Sequence, residues 1–268
     1  MSPELIELLK VFIERNSNVP DLQFDPNLKP KLPIDPYSKN YEERKRTAHY
    51  LLLVASIDEG NVVGVADNAR KLIVRLYDHF GEGLFEITDE FIIREVFHRV
   101  SSDLPLSRLR EKIPEILASV NRFVSEVAGG DLIGYSKRFR RPMDFVNIMA
   151  PSIVRMGKDK NYARKKAWMY MRWMARDYPD LRIFDHFSPR DLFVPLDKNV
   201  ARVAVCLGVL SSLENLGWKE VVKVTEFARS LYPDDPARID YPFFLLGREM
   251  NEKRLALTMQ TLKELLKR

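Results

Sequence analysis

Residues 192–208 read LFVPLDKNVARVAVCLG, a short extended apolar segment that turns into a helical pattern. Asp197 stands at the position of a helix N-cap, where a carboxylate accepts hydrogen bonds from free backbone N–H groups. The apolar residues that follow at the spacing of one helix face are Val200, Val203, Ala204 and Leu207. Gly208 then ends the pattern, as a glycine does after a helix. The pattern therefore predicts that Asp197 caps a helix. A capping carboxylate is also held rigid and kept ionised, and both properties suit a group that faces a developing positive charge.

The segment upstream, PSIVRMGKDKNYARKKAWMYMRWMARDYPDL at residues 151–181, predicts another helix. We expect this helix to begin at Lys160 or Asn161 and to contain Lys165. A loop with three prolines, residues 178–195, then leads to the predicted cap. Taken alone, a lysine in an Arg-Lys-Lys triplet is typical of a solvent-exposed helix face.

The rest of the chain is also helical in pattern, so the predicted fold class is all-α. A first helix spans Pro3 to Arg15, a proline-rich arm follows to residue 36, and helical spacing dominates from Tyr41 onward. Glycines between residues 129 and 134 predict a division between two helical lobes. The expected parts are an N-terminal helix and arm (residues 1–36), a first lobe (37–130) and a second lobe (131–268) with a hairpin-like region.

The composition narrows the class of protein. The 268 residues include 43 Lys and Arg against 38 Asp and Glu, a net charge of +5 that permits nucleic-acid binding. No apolar run reaches the roughly eighteen residues of a membrane span. One cysteine, Cys206, excludes an internal disulfide and a cysteine-ligated iron–sulfur cluster. The four histidines lack ligand spacing, so we expect no metal. We expect a cytoplasmic protein, and the many charged residues with two glutamines hint at a thermophilic source.

Three segments carry a resemblance to a known family: KKAWMYMRWM at 165–174, VPLDKNVARVAVCLG at 194–208 and YPDDPARIDYPFFLLG at 232–247. The first two resemble the helix-hairpin-helix (HhH-GPD) DNA glycosylases that cleave with a lysine. The separation 197 − 165 = 32 is similar to the long connection of the archaeal 8-oxoguanine DNA glycosylases. The third is similar to a motif near the C-terminus of that archaeal family. All three segments also resemble a related group of uncharacterised prokaryotic proteins. The resemblance spans roughly residues 41–249, and only these segments are specific.

The resemblance implies a two-lobed helical bundle and a DNA glycosylase with AP lyase activity on 8-oxoguanine. Lys165 would be the nucleophile that attacks C1′, and Asp197 the carboxylate that stabilises the cationic transition state. A neutral lysine amine needs burial or neighbouring cations to lower its pKa, and Arg164, Lys166 and Arg172 are the local cations. Lys166 is the rival nucleophile, because adjacent helix residues point about 100° apart.

Further site residues follow from the same resemblance. Asp240 and Phe244 would contact the flipped base, with Met169 and Trp168 beside it; a helix cap and a core aromatic are the alternatives for the first two. The residues expected at DNA phosphates are Lys158, Lys160, Arg164 and Lys166. These belong to one of two basic clusters, which are also typical of solvated surface.

The chain departs from the family pattern in two places. The glycine-rich hairpin is replaced by MGKDKNYARKK, in which Gly157 is the one glycine, and Met169 stands where the archaeal family has an aromatic. The expected partner is double-stranded DNA with a damaged base, bound without a cofactor by a monomer in the nucleoid. Two alternatives stay open: a DNA-binding protein of this fold without catalysis, and a helical scaffold for protein partners.

Overall fold

The computed structural model describes residues 2–59, 66–106, 109–253, 261 and 264. This part of the chain is helical and contains no strand, so the all-α prediction is confirmed. Its α-helices are α1 (Pro3–Asn16), α2 (Tyr41–Ile57), α3 (Ala66–Phe80), α4 (Glu90–Val100), α5 (Ile113–Arg122), α6 (Leu132–Ser136), α7 (Pro142–Ser152), α8 (Lys165–Ala175), α9 (Lys198–Cys206), α10 (Trp218–Leu231) and α11 (Asp240–Lys253). Within the described ranges, none of these helices combines the length and apolar character needed to cross a bilayer.

The buried apolar side chains form two clusters that do not follow the predicted division at residues 130 and 131. The first cluster draws on residues 24–192 and includes α2 through α8, together with Ala237. The second combines α1 with residues from Val194 to Met250. Helix α8 lies in the first cluster because it packs against α2, where the Tyr170 hydroxyl donates to the carbonyl of Ala48 at 3.1 Å. The boundary between the two apolar clusters therefore lies near residue 193, and α1 packs with the C-terminal helices.

The proline-rich arm between α1 and α2 has no helix or strand, as its prolines predict. A buried arginine on α3 holds the arm in place through hydrogen bonds to its backbone. The guanidinium of Arg70 donates to the backbone carbonyls of Leu22, Leu28 and Pro30 at 2.7 to 3.2 Å. Asp21, also in the arm, accepts from the indole nitrogen of Trp173 on α8 at 3.0 Å. The arm therefore contacts the helix that carries the candidate nucleophile.

Helix α8 begins at Lys165, four or five residues later than the sequence pattern predicts. The segment before it, residues 153–164, is the hairpin segment that joins α7 to α8. Tyr162 forms an isolated backbone bridge with Gly217, and the N–H of Trp218 donates to the carbonyl of Asn161 at 2.7 Å. These bonds hold the hairpin segment against the start of α10. The segment therefore does not form an additional N-terminal turn of α8. Arg164 turns the chain with a left-handed φ of 49°.

Helices α9 and α11 cross at very short range, and Gly247 makes the crossing possible. A Cβ at Gly247 would lie 2.1 Å from the carbonyl oxygen of Asn199 in the first turn of α9. Real side chains do not approach backbone so closely, so any larger residue must push the helices apart. The position of Asp197, the residue before α9, therefore depends on this glycine.

We expect Gly247→Ala to lower the free energy of unfolding by about 1 to 3 kcal/mol, because an added methyl overpacks the crossing. For a chain of this size each kcal/mol corresponds to a fall in melting temperature of about 2 to 4 °C. Thermal unfolding followed by circular dichroism measures it. Gly83→Ala is the matched control, because nothing lies within 4 Å of its added Cβ. Equal melting temperatures for the two variants would contradict the close crossing.

Candidate functional site

A cavity of about 910 Å³ opens where the end of α2, the hairpin segment and the starts of α8 and α9 meet. Lys165 and Asp197, the predicted nucleophile and carboxylate, both line it. The apolar residues on its wall are Met156, Leu196, Leu216 and Phe244. Its other charged residues are Asp58, Glu59, Arg155, Lys158, Arg164, Lys166 and Lys198. The fold thus brings together, in one open cavity, the two residues that the sequence separates by 32 positions.

Asp197 is the N-cap of α9, as predicted. Its Oδ1 accepts hydrogen bonds from the backbone N–H groups of Asn199 and Val200, both at 2.8 Å. The helix ends at Cys206, and Gly208 follows with a left-handed φ of 72°. The carboxylate is therefore held by its own helix and faces the cavity with a fixed backbone behind it. Its charge is stabilised by the N-terminal end of the helix dipole.

Lys165 faces carboxylates, and this overturns the expectation that neighbouring cations lower its pKa. Its Nζ lies 3.9 Å from Oδ2 of Asp58, and 32% of its side chain is exposed. Partial burial lowers the pKa of Lys165, but four carboxylates outweigh that effect and raise the pKa above its usual value. The four, in order of effect, are Asp58, Asp197, Asp240 and Asp21. In the free protein Lys165 is therefore an ammonium.

Lys166, the rival nucleophile, points to a different part of the cavity wall. Its Nζ donates to the carbonyl of Ser56 at 2.9 Å and to Glu59 at 3.3 Å, and only 8% of its side chain is exposed. Burial lowers the pKa of Lys166 to about 8, against the opposing charge of Glu59. Its ammonium is already satisfied inside the protein, which does not favour the predicted phosphate contact. Lys165, unlike Lys166, is under the direct charge influence of Asp197.

Asp240 is the first residue of α11 and lies buried beside Arg172 of α8, to which it is hydrogen bonded. Burial raises the pKa of Asp240 to about 6; Asp197 and Asp21 add to the rise, whereas Arg172 and Lys165 oppose it. The carboxyl does not line the cavity. Its hydrogen bond with Arg172 instead connects α11 to α8. Phe244, one turn later, does line the cavity and stacks on Tyr241 with the rings inclined by 19°.

The two other predicted base contacts lie in the core. Trp168 is fully buried and stacks on Trp218, with ring centroids 6.1 Å apart and planes inclined by 24°. It borders a second cavity, of about 350 Å³, which Lys160 and Asn161 of the hairpin segment also line. Met169 is buried as well. Their burial favours a packing function over contact with a base in the Lys165 cavity.

The predicted phosphate contacts separate into exposed and buried residues. Lys158 and Lys160 are exposed on the hairpin segment, the first on the rim of the Lys165 cavity and the second beside the smaller cavity. Arg164 is buried, and its guanidinium donates to the carbonyl of Gly157 at 3.1 Å and to Asn147 at 2.7 Å. Gly157 adopts a φ of 116°, and a Cβ there would lie 2.6 Å from Arg164 Cγ. Glycine is therefore required where the hairpin segment closes on Arg164.

Sequence reasoning missed the acidic residues at the end of α2. Asp58 and Glu59 follow the last helical turn, where the helix dipole disfavours anions and where no basic residue compensates them within the helix. Glu59 is paired with Arg155 and Lys166 instead. An Asp-Glu pair at a helix C-terminus is the sequence signal that could have indicated basic side chains from other segments of the chain packing against it. Across the described residues, the acidic groups make no cluster with the geometry of a metal site.

Comparisons with known proteins identify one family. Its sequence model is described as a protein of unknown function, DUF2400, and it matches residues 33–249. No curated protein and no solved structure matches the chain. The match includes α2 through most of α11, and with them the cavity residues Asp58, Lys165 and Asp197. The chain therefore belongs to the DUF2400 family of proteins of unknown function.

Proposed function

We propose that this protein is a DNA glycosylase with AP lyase activity that removes 8-oxoguanine through a Schiff base on Lys165. The observation that carries the proposal is that Lys165 and the rigid, capping Asp197 line one open cavity. The hairpin segment between α7 and α8 supports it, because it presents the exposed Lys158 at the rim, where a DNA phosphate would approach. The proposed partner is duplex DNA with a damaged base, and the proposed location is the cytoplasm, at the nucleoid.

The cavity suits a nucleotide swung out of the duplex. The neutral amine of Lys165 would form a bond to C1′ while the bond from C1′ to the base nitrogen breaks. Asp197, fixed by its two backbone hydrogen bonds, would stabilise the positive charge that develops on the sugar. Loss of a C2′ proton from the resulting Schiff base would break the C3′–O bond and nick the strand.

One observation favours a second function, a DNA-binding protein without catalysis. The carboxylates around Lys165 raise its pKa, and an ammonium has no electron pair for attack. For the first proposal to hold, the ammonium of Lys165 must give up a proton before it attacks C1′. The two functions make opposite predictions about a covalent intermediate, so one experiment separates them.

We expect borohydride to trap a covalent complex between this protein and a labelled duplex that contains 8-oxoguanine. Reduction converts a Schiff base into a stable amine, so a slower band on a denaturing gel reports the adduct. An undamaged duplex is the control. A band with an abasic duplex alone would keep the lyase chemistry and reject 8-oxoguanine as the substrate. Salt-sensitive DNA binding without any band would favour the non-catalytic function, and no binding at all would favour a scaffold.

A further inference from the structure

Asp58 lies at the C-terminal end of α2 and faces Lys165 across the cavity wall. Its Oδ2 is 3.9 Å from Nζ of Lys165, and only 15% of its side chain is exposed. The negative end of the α2 dipole disfavours an anion at this position, so the charge of Lys165 is what compensates the carboxylate. Among the residues that the structure describes, Lys165 is the one side chain in ion-pair contact with Asp58.

The other carboxylates near Lys165 are engaged elsewhere. Asp197 accepts two backbone N–H groups of its own helix. Asp240 and Asp21 are both hydrogen bonded to the guanidinium of Arg172. In each of these three, loss of the negative charge would weaken charge-assisted hydrogen bonds that hold the fold. Asp58 would lose only its ion pair with Lys165, which disappears in any case when the ammonium gives up its charge.

We propose that Asp58 is the proton acceptor that converts the ammonium of Lys165 into the nucleophilic amine. This inference rests on the proposed glycosylase function. Lys165 begins with three protons on nitrogen and ends with one in the Schiff base. One released proton ends on the departing base and the other on O4′ when the sugar ring opens. Asp58 receives a proton and passes it on, so it returns to the carboxylate form and the total charge is unchanged. At 3.9 Å the transfer requires a closer approach or one bridging water.

The charges around the pair make Asp58 a better base than an exposed aspartate. Burial raises the pKa of Asp58 above its usual value, Asp21 and Asp197 add to the rise, and Lys165 and Lys166 oppose it. The remaining charged groups on the neighbouring elements are Glu59, Arg155, Lys158, Arg164, Lys198 and Asp240. Glu59 binds both Arg155 and Lys166, so these two cations are partly neutralised next to Asp58.

The test is the pH dependence of single-turnover excision by Asp58→Asn, with Asp58→Glu beside it. We expect Asp58→Asn to be slower near pH 7 by about 10²-fold or more, the usual contribution of a proton-transfer group. The deficit should shrink toward about pH 10, where solvent deprotonates a lysine. Asp58→Glu should recover much of the rate, because it keeps a carboxylate. Asp103→Asn, which removes an exposed carboxylate paired with Arg75, should match the wild-type profile.

Two results would overturn the proposal, and they differ in what they leave standing. If Asp58 is only a counter-ion, its removal lowers the pKa of Lys165, and Asp58→Asn reacts as fast as the wild type or faster at pH 7. The glycosylase function would then survive without this role for Asp58. If the wild-type protein forms no adduct with either a damaged or an abasic duplex, the proposed function and the inference fall together. Melting temperatures of the variants exclude unfolding as the cause of a lost rate.

Discussion

Lys165→Gln is expected to form no borohydride-trapped adduct and to lose base excision by on the order of 10⁴-fold or more, as removal of a covalent nucleophile does. The physical reason is that Gln has no amine with a free electron pair, while its length and polarity fit the same place. Lys165 lines the cavity with Asp197 and is coupled to its charge. The measurement is single-turnover excision of 8-oxoguanine together with adduct formation on a denaturing gel.

Lys166→Gln is the matched control, because it removes the adjacent amine from the same helix turn. This variant should keep the adduct, although loss of the bonds to Ser56 and Glu59 is expected to reduce stability. The reverse pattern, with the adduct lost in Lys166→Gln and kept in Lys165→Gln, would make Lys166 the nucleophile. Its pKa of about 8 would then be the property that matters.

Arg172→Met is expected to lower the free energy of unfolding by about 3 to 5 kcal/mol, the usual effect of breaking a buried ion pair from one side. Arg172 contacts carboxylates from three separate segments: Asp21 at 2.6 Å, Asp180 at 3.6 Å, and Asp240. Only 6% of its side chain is exposed, so the three acids would lose their shared cation inside the protein. Urea unfolding followed by fluorescence measures the effect.

Arg141→Met provides the comparison, because Arg141 forms an ion pair with Asp144 at 3.0 Å while 66% of its side chain is exposed. Pairs of that kind contribute about 0 to 1 kcal/mol. Adding Asp240→Asn to Arg172→Met should recover part of the lost stability, since it removes one unpaired buried charge. If Arg172→Met and Arg141→Met unfold at the same urea concentration, Arg172 does not connect the arm, α8 and α11 as described.

The candidate site shows which features local patterns can predict. The cap at Asp197 was predictable because its partners, the N–H groups of Asn199 and Val200, lie two and three residues away in sequence. The start of α8 was predicted wrongly, because the bonds that end the hairpin segment come from residues 217 and 218 on another element. Trp168 and Met169 were expected at a base and lie in the core, since helical spacing does not reveal which face meets a cavity.

Local sequence patterns are sufficient to predict the helical class, the capping aspartate, the glycine that follows α9 and the irregular proline-rich arm. These follow from apolar periodicity and backbone preference, which act over a few residues. The electrostatic surroundings of Lys165, in contrast, depend on the packing of distant segments. Asp58 precedes it by 165 − 58 = 107 positions, and Asp21, Asp197 and Asp240 approach from three other segments. Electrostatic pairing between distant segments leaves no periodic trace in a sequence, because the packing of whole helices sets the distances between the charges.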